Sequence, residues 1–267
     1  MFVKSNFIPS EIFDRFFQSN DVLKNITLFN DYIPTPEELS INSYNFLMLN
    51  EPNELFGLHD WAIAHQNMFS CIFTWNENVL SKCSNSILFP FGMSSMWETP
   101  ELYDKIKYED KTLKIFFVCG VKNQTEGHKF RHVVYNQEPK INTPHNWIMA
   151  CPIEDKNKNF KDCMFHVAIE NVKQSNLFTE KIIDAFLTKT IPVYRGCTNI
   201  GDYFDERGII IFDNEEELVD IVNSLTEEDY WKRKQHIEYN YQKAVEFSNY
   251  FGRLTNILEE IVKINNL

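Results

Sequence analysis

Short, unbroken apolar runs alternate with longer stretches of helical composition, and that alternation decides most of what this chain can become. The run "YNFLML" (Tyr44–Leu49) ends at "NEPNE", and a helical stretch follows around Leu55 to Met68. Then come "SCIFTW" (Ser70–Trp75), a short helical segment near Glu77 to Lys82, and "SILFPFG" (Ser86–Gly92). Runs that are apolar at successive positions are buried on both faces. Strands of that kind belong to parallel sheets covered by helices.

From Met93 to Lys111 the pattern is lost in a polar stretch of mixed charge, as expected of a connection between domains. A second alternation begins at "LKIFFVCG" (Leu113–Gly120). A helix is expected over Gly127 to Tyr135, and strands at "WIMACP" (Trp147–Pro152), "CMFHVAIE" (Cys163–Glu170), "IPVYRG" (Ile191–Gly196) and "IIIF" (Ile209–Phe212). Further helices fit Glu180 to Leu187 and Glu215 to Leu225. The tail from Asp229 to Lys263 reads as two helices parted near Tyr250 to Gly252. The fold class is therefore α/β, with two facing Rossmann-like domains and C-terminal helices. The expected boundaries are 1–100 for the first domain, 111–245 for the second, and 246–267 for a last helix that packs back on the first. Ligands of such sheets bind beyond the carboxyl ends of the strands.

Composition narrows the function. With 26 basic and 38 acidic residues the chain carries a formal charge of -12, which disfavours a general nucleic-acid partner. The six cysteines, at 71, 83, 119, 151, 163 and 197, form no Cys-x-x-Cys pair and read as buried, reduced thiols. No signal-peptide pattern opens the sequence and no apolar run is long enough to span a bilayer, so a cytoplasmic protein without a transmembrane segment is expected.

The stretch "FHVAIENVKQSNLFTEKIIDAFLTKTIPVYRG" (Phe165–Gly196) places charged and polar groups at the ends of buried elements. Glu170 and Asn171 end a strand, and Thr179, Glu180 and Lys181 open the next helix, so both groups fall on the rim where ligands bind. Thr179 is the candidate N-cap. The free N–H groups of that helix end favour an anion such as a phosphate. Lys181 adds a mobile positive charge where helices prefer acidic residues, and Glu180 can accept bonds from sugar hydroxyls. A capped helix with a surface ion pair, contributing about 0–1 kcal/mol, is the plain alternative.

A second polar cluster, "GVKNQTEGHKFRHVVY", follows Gly120 and supplies Lys122, His128, Lys129 and Arg131. An arginine there can grip a phosphate through two parallel bonds. His128 and His132 stand four apart on a helix, but no acidic third ligand lies near them in sequence, so no metal is expected. Neither a phosphate-binding GxxxxGK[ST] loop nor a GxGxxG fingerprint is present. The chain also has no Asp-x-Asp pair to hold a divalent cation on a nucleotide diphosphate.

The order of strand, Glu-Asn, loop, Thr-Glu-Lys, apolar helix and Pro-Val-x-x-Gly resembles the donor-binding signature of the family 10 glycosyltransferases, the α-1,3/1,4-fucosyltransferases. The resemblance is close from Met164 to Phe212 and looser from Lys114 to Tyr135. It implies the GT-B type of fold and an inverting transfer of fucose from GDP-fucose to a hydroxyl of a glycan acceptor. It also implies donor binding without a metal or other cofactor. By the same resemblance Glu170, Asn171, Thr179, Glu180 and Lys181 contact the donor and Arg131 binds its diphosphate, with Lys129 or Lys122 as the alternative; the reading of the cluster itself puts His128 near the ligand. The catalytic base is expected at Glu51, at the end of an N-terminal strand, with Glu54 as its competitor. Two departures stand out. Leu177 lies where the family usually has tyrosine, which bears on the donor sugar more than on the reaction class, and Arg195 lies where a neutral residue is common. A different nucleotide-sugar donor and a non-catalytic nucleotide- or sugar-binding module are the competing readings.

Overall fold

The computed structural model describes residues 1–6, 8, 12–13, 17, 20–42, 44–95, 105–150, 159 and 161–265. The chain divides into two compact units, one formed by Met1–Phe91 with Asn249–Leu267 and the other by Gly92–Ser248.

Among the described residues the first unit holds a five-stranded parallel sheet: β1 (Phe2–Ser5), β2 (Ile26–Asn30), β3 (Tyr44–Leu49), β4 (Cys71–Thr74) and β5 (Ser86–Leu88), paired in that order. Among its described helices are α1 (Pro36–Leu39), α2 (Asn53–Phe56), α3 (Leu58–Ala64) and α4 (Glu77–Lys82). β2 is buried at every position, and the side chain of Asn42 satisfies its polar Thr27 at 3.0 Å. The single helix expected over Leu55 to Met68 is broken at Gly57. There φ is 65°, and the backbone N–H closes on the Asn53 carbonyl at 2.7 Å to end α2. A left-handed residue cannot continue a helix, so α3 starts afresh.

The second unit repeats the design with β6 (Thr112–Cys119), β7 (His145–Met149), β8 (Cys163–Ile169), β9 (Ile191–Arg195) and β10 (Ile210–Ile211), all parallel and ordered β10-β9-β8-β6-β7. Its helices are α5 (Glu126–Tyr135), α6 (Glu180–Leu187), α7 (Glu215–Ser224), α8 (Glu227–Trp231) and α9 (Lys234–Ser248). β8 runs through the middle with all seven residues buried, and Phe165, Val167 and Ile169 share one core with Ile115, Phe117, Ile191 and Val193. β7 starts two residues earlier than the run "WIMACP", whose last two residues lie outside the described ones. Residues 96–104 of the Met93–Lys111 connection also lie outside them. Its opening is anchored: Ser94 donates its hydroxyl to the buried Asp184 of α6 at 2.7 Å, and the Ser95 N–H bonds the same carboxylate at 3.1 Å.

The last helix, α10 (Tyr250–Asn265), belongs to the first unit. Arg253 donates to the carbonyls of Pro90 and Phe91 at 3.1 and 2.7 Å, and the Phe251 ring meets Phe13 edge-on at 5.4 Å. The division therefore falls after Phe91 and after Ser248 rather than near residues 100 and 245. The five described cysteines are free and buried; Cys151 lies outside the described residues. No described helix is long and apolar enough to cross a membrane.

Candidate active site

In the second sheet β7 flanks β6 on one side and β8 flanks it on the other, so the chain reverses its direction of winding between β6 and β8. Open α/β sheets bind ligands at that crossing, outside the carboxyl ends of the strands. Two segments leave the sheet there. One runs from Gly120 into α5 and the other from Glu170 into α6.

Thr125 caps α5 by accepting the N–H of His128 at 3.2 Å, and donates its own N–H to Nδ1 of His128 at 3.2 Å. This is a capping box with histidine in place of the usual acidic or amide residue. Because Nδ1 accepts, the ring proton sits on Nε2. Burial, then the charges of Arg131, Lys122 and Lys181, push the His128 pKa down to about 4. The same interactions place Arg131, Lys122 and Lys181 within electrostatic reach of His128. Arg131 is buried, and donates to the Ile169 carbonyl at 2.6 Å and to Oδ1 of Asn171 at 2.9 Å. It ties α5 to the end of β8. Lys122 and Lys129 are exposed.

Glu170 turns inward. It is 1% exposed and accepts the Thr179 N–H at 2.9 Å and the Thr179 hydroxyl at 2.6 Å. The Tyr194 hydroxyl donates to it at 3.4 Å, and the Lys181 ammonium lies 3.6 Å away. Burial raises its pKa against the pull of Lys181 and the Thr179 donors. Two glycines make room for it. A Cβ on Gly127 would stand 1.9 Å from the Glu170 carbonyl, and one on Gly196 would stand 2.3 Å from its Cγ. Gly127 also donates its N–H to the Asn171 carbonyl at 2.9 Å.

Thr179 caps α6, as its position in the sequence suggests. Lys181 reaches the Thr179 hydroxyl at 3.0 Å and the Glu180 carboxylate at 2.9 Å. Burial works against its charge, but Glu180 and Glu170 more than offset that and hold its pKa above the lysine value. Its placement in the first helical turn is thus balanced by two carboxylates of the chain itself, and does not by itself require an anionic ligand.

The structure brings together Lys122, His128, Arg131, Glu170, Asn171, Thr179, Glu180 and Lys181. Glu170 and Asn171 are occupied by protein partners. Glu51 lies in the first unit, just after β3, and Glu54 is exposed on α2. Both departures from the family pattern have structural homes. Leu177 is 1% exposed, in the core beside Phe178, whose ring meets Tyr203 at 4.8 Å. Arg195 bonds Glu126 at 2.5 Å and lies 4.4 Å above the Phe130 ring, bracing the start of α5. Gly127, Tyr194 and Gly196 went unread in the sequence as parts of this site. The Gly ending Pro-Val-x-x-Gly was the one visible signal.

No protein-family model matches the chain. A 76-residue segment is 30% identical to the alpha-(1,3)-fucosyltransferase FucT of Helicobacter pylori, covering 27% of this chain and 16% of that protein. A crystal structure of alpha1,3-fucosyltransferase aligns over 94% of this chain and 89% of its own at 14% identity, with a TM-score of 0.58. A short segment of the chain and its fold are thus similar to those of alpha-1,3-fucosyltransferases. A structure of alpha1,3-fucosyltransferase with GDP-fucose aligns over the same shares, also at 14% identity, with a TM-score of 0.57. Trehalose-6-phosphate synthase, studied for glycosyl transfer with retention, aligns over 88% of this chain and 73% of its own at 12% identity, with a TM-score of 0.58. The chain thus has the α/β fold of the GT-B glycosyltransferases, with two parallel sheets.

Proposed function

We propose that the chain is an inverting glycosyltransferase that moves fucose from GDP-fucose to a hydroxyl of a glycan acceptor. The observation that carries this reading is the gathering of His128, Arg131, Lys122 and Lys181 at the β6/β8 crossing, beside the capped starts of α5 and α6. The positive charges of Arg131, Lys122 and Lys181, with neutral His128 able to donate from Nε2, suit a diphosphate. The similarity to the fucosyltransferases supports fucose and guanosine as the rest of the donor.

In this reading Lys181 and the neighbouring basic groups neutralise the diphosphate as it departs. Glu170 acts indirectly, by holding Thr179 and Lys181 in place. Glu51 takes the proton of the acceptor hydroxyl while that oxygen attacks the anomeric carbon. The bond from that carbon to the diphosphate breaks, GDP leaves with the electron pair, and the anomeric configuration inverts. One base acting in this way contributes roughly 10²–10⁴-fold. No divalent cation is assigned a role, and among the described residues no three of His, Cys, Asp and Glu gather to hold one.

The test is calorimetric titration with GDP, GDP-fucose, UDP and UDP-glucose, with and without chelator, followed by NMR of the product. Tight, chelator-insensitive binding of the guanosine ligands and an inverted product are expected. Preference for UDP would replace the donor assignment. A retained configuration would replace the mechanism, and binding of GDP-fucose without turnover on any glycan would favour a non-catalytic module.

A further inference from the structure

The end of β3 is held in an unusual way. All four backbone polar groups of Asn50 and Glu51 are bound by side chains from other parts of the first unit. Asp31, one residue beyond β2, accepts the N–H of Asn50 at 2.9 Å and of Glu51 at 3.1 Å on one oxygen, Oδ1. Trp75 donates its indole N–H to the Asn50 carbonyl at 2.9 Å, and Nε2 of His59 meets the Glu51 carbonyl at 2.9 Å. The Asn50 side chain is fixed as well, donating to Asn30 at 2.6 Å and to the Tyr250 hydroxyl at 3.0 Å. Asp31, His59, Trp75, Asn30 and Tyr250 are each no more than 1% exposed.

This arrangement is unfavourable in several separate ways. Asp31 adopts φ 48°, in the left-handed region. Its second oxygen and Nδ1 of His59 are buried with no hydrogen-bond partner among the described residues. Burial pushes the Asp31 carboxyl up to about 8, against the two N–H bonds it accepts. A strand end that only had to turn could leave its N–H groups to water. Strained, under-satisfied polar groups gather where a structure must hold one geometry.

We propose that Asp31 is a positioning residue for Glu51, its carboxyl fixing the peptide from which the base projects. This rests on the reading of Glu51 as the base. Asp31 itself is too enclosed to touch an acceptor.

Asp31→Gly removes the carboxyl while accepting the left-handed backbone without strain. Asp31→Asn keeps an acceptor at Oδ1 in a side chain of the same shape. Turnover with GDP-fucose should fall by about tenfold to a hundredfold in the Gly variant, as for a reacting group displaced by a fraction of an ångström. GDP affinity should not change, and the Asn variant should stay within a few fold of the parent. Added to Glu51→Gln, the Gly substitution should cause no further loss, because its effect passes through Glu51. A Gly variant with parental turnover beside an inactive Glu51→Gln overturns this proposal alone. So does an equal loss in both backgrounds. An active Glu51→Gln overturns the base assignment and the proposal with it. Should the Gly variant unfold, Asp31→Ser, which can accept one of the two bonds, must lose turnover in the parent background and not in Glu51→Gln; any other result overturns it.

Discussion

Thr179 gives both its backbone N–H and its hydroxyl to the carboxylate of Glu170, at 2.9 and 2.6 Å. A carboxylate in that position is a buried post for the start of α6. Glu170→Ala would leave the Thr179 donors and the Lys181 ammonium without it. Breaking a buried ion pair from one side typically destabilises by about 3–5 kcal/mol. Urea unfolding should show a loss of that order, with donor affinity falling in parallel because Lys181 loses its seat. Unchanged stability would mean that Glu170 faces ligand rather than protein.

The glycines around this post differ sharply. Gly127→Ala would drive a Cβ to 1.9 Å from the Glu170 carbonyl, whereas a Cβ on Gly120 would meet nothing within 4 Å. Overpacking of this kind costs about 1–3 kcal/mol or more. The two alanine variants, compared by thermal melting, should therefore separate by several degrees, with Gly120→Ala near the parent. Equal melting temperatures would contradict the close approach of α5 to the end of β8.

Opposite pH dependences are built into the first unit. Burial pushes His59 down from 6.5 to about 4, so between those values the unfolded chain binds a proton that the folded chain refuses. Its contribution to stability is complete above 6.5 and is lost as pH falls to 4. Asp31 is raised from 3.8 to about 8, so here the folded chain holds the extra proton. That contribution is complete below 3.8 and is lost as pH rises to 8. The parent should therefore lose stability relative to Asp31→Asn as pH rises through this window, and lose it relative to His59→Gln as pH falls through the other. The limiting slope is about 1.4 kcal/mol per pH unit for one proton. Urea titrations at a series of pH values measure both, and parallel curves would remove the protonation difference.

β8 was legible because it is buried on both faces and only His166 in it is polar, which leaves little to mislead. α6 was legible to the residue because Thr179 caps it and its apolar residues follow without a break. β1 and β2 were not legible: they are short, and their Thr27 and Asn30 are polar yet buried, a cost met by Asn42, Ser5 and Asn50 from elsewhere in the chain. The same holds at the site. Spacing placed Glu170, Thr179 and Lys181 on one rim, but it could not reveal that Glu170 turns inward. That direction depends on Tyr194 and on the room left by Gly196, which only the folded sheet brings into contact. Asp31 was invisible for a similar reason, since nothing in "FNDYIP" announces that its carboxyl bonds a peptide twenty residues away.

Lys181 and Glu51 should fail in different ways. Lys181 touches oxygens of Thr179 and Glu180 and neutralises charge at the β6/β8 crossing. Lys181→Ala takes away that charge and leaves Glu170 and Glu180 to repel an incoming diphosphate. GDP binding and transfer should both weaken by about tenfold to a hundredfold, the worth of a contact to a charged group. Glu51 is assigned only to the acceptor hydroxyl. Glu51→Gln should keep GDP affinity while turnover falls at least a hundredfold, the lower end of roughly 10²–10⁴ for a general base. Calorimetry and initial rates on the two variants, with melting temperatures to verify folding, separate the roles. If Glu51→Gln turns over within a few fold of the parent, Glu54 becomes the next residue to test. If Lys181→Ala binds GDP as well as the parent, the diphosphate is held by Arg131 and the lysines beside it, and Lys181 serves mainly to offset the repulsion between Glu170 and Glu180.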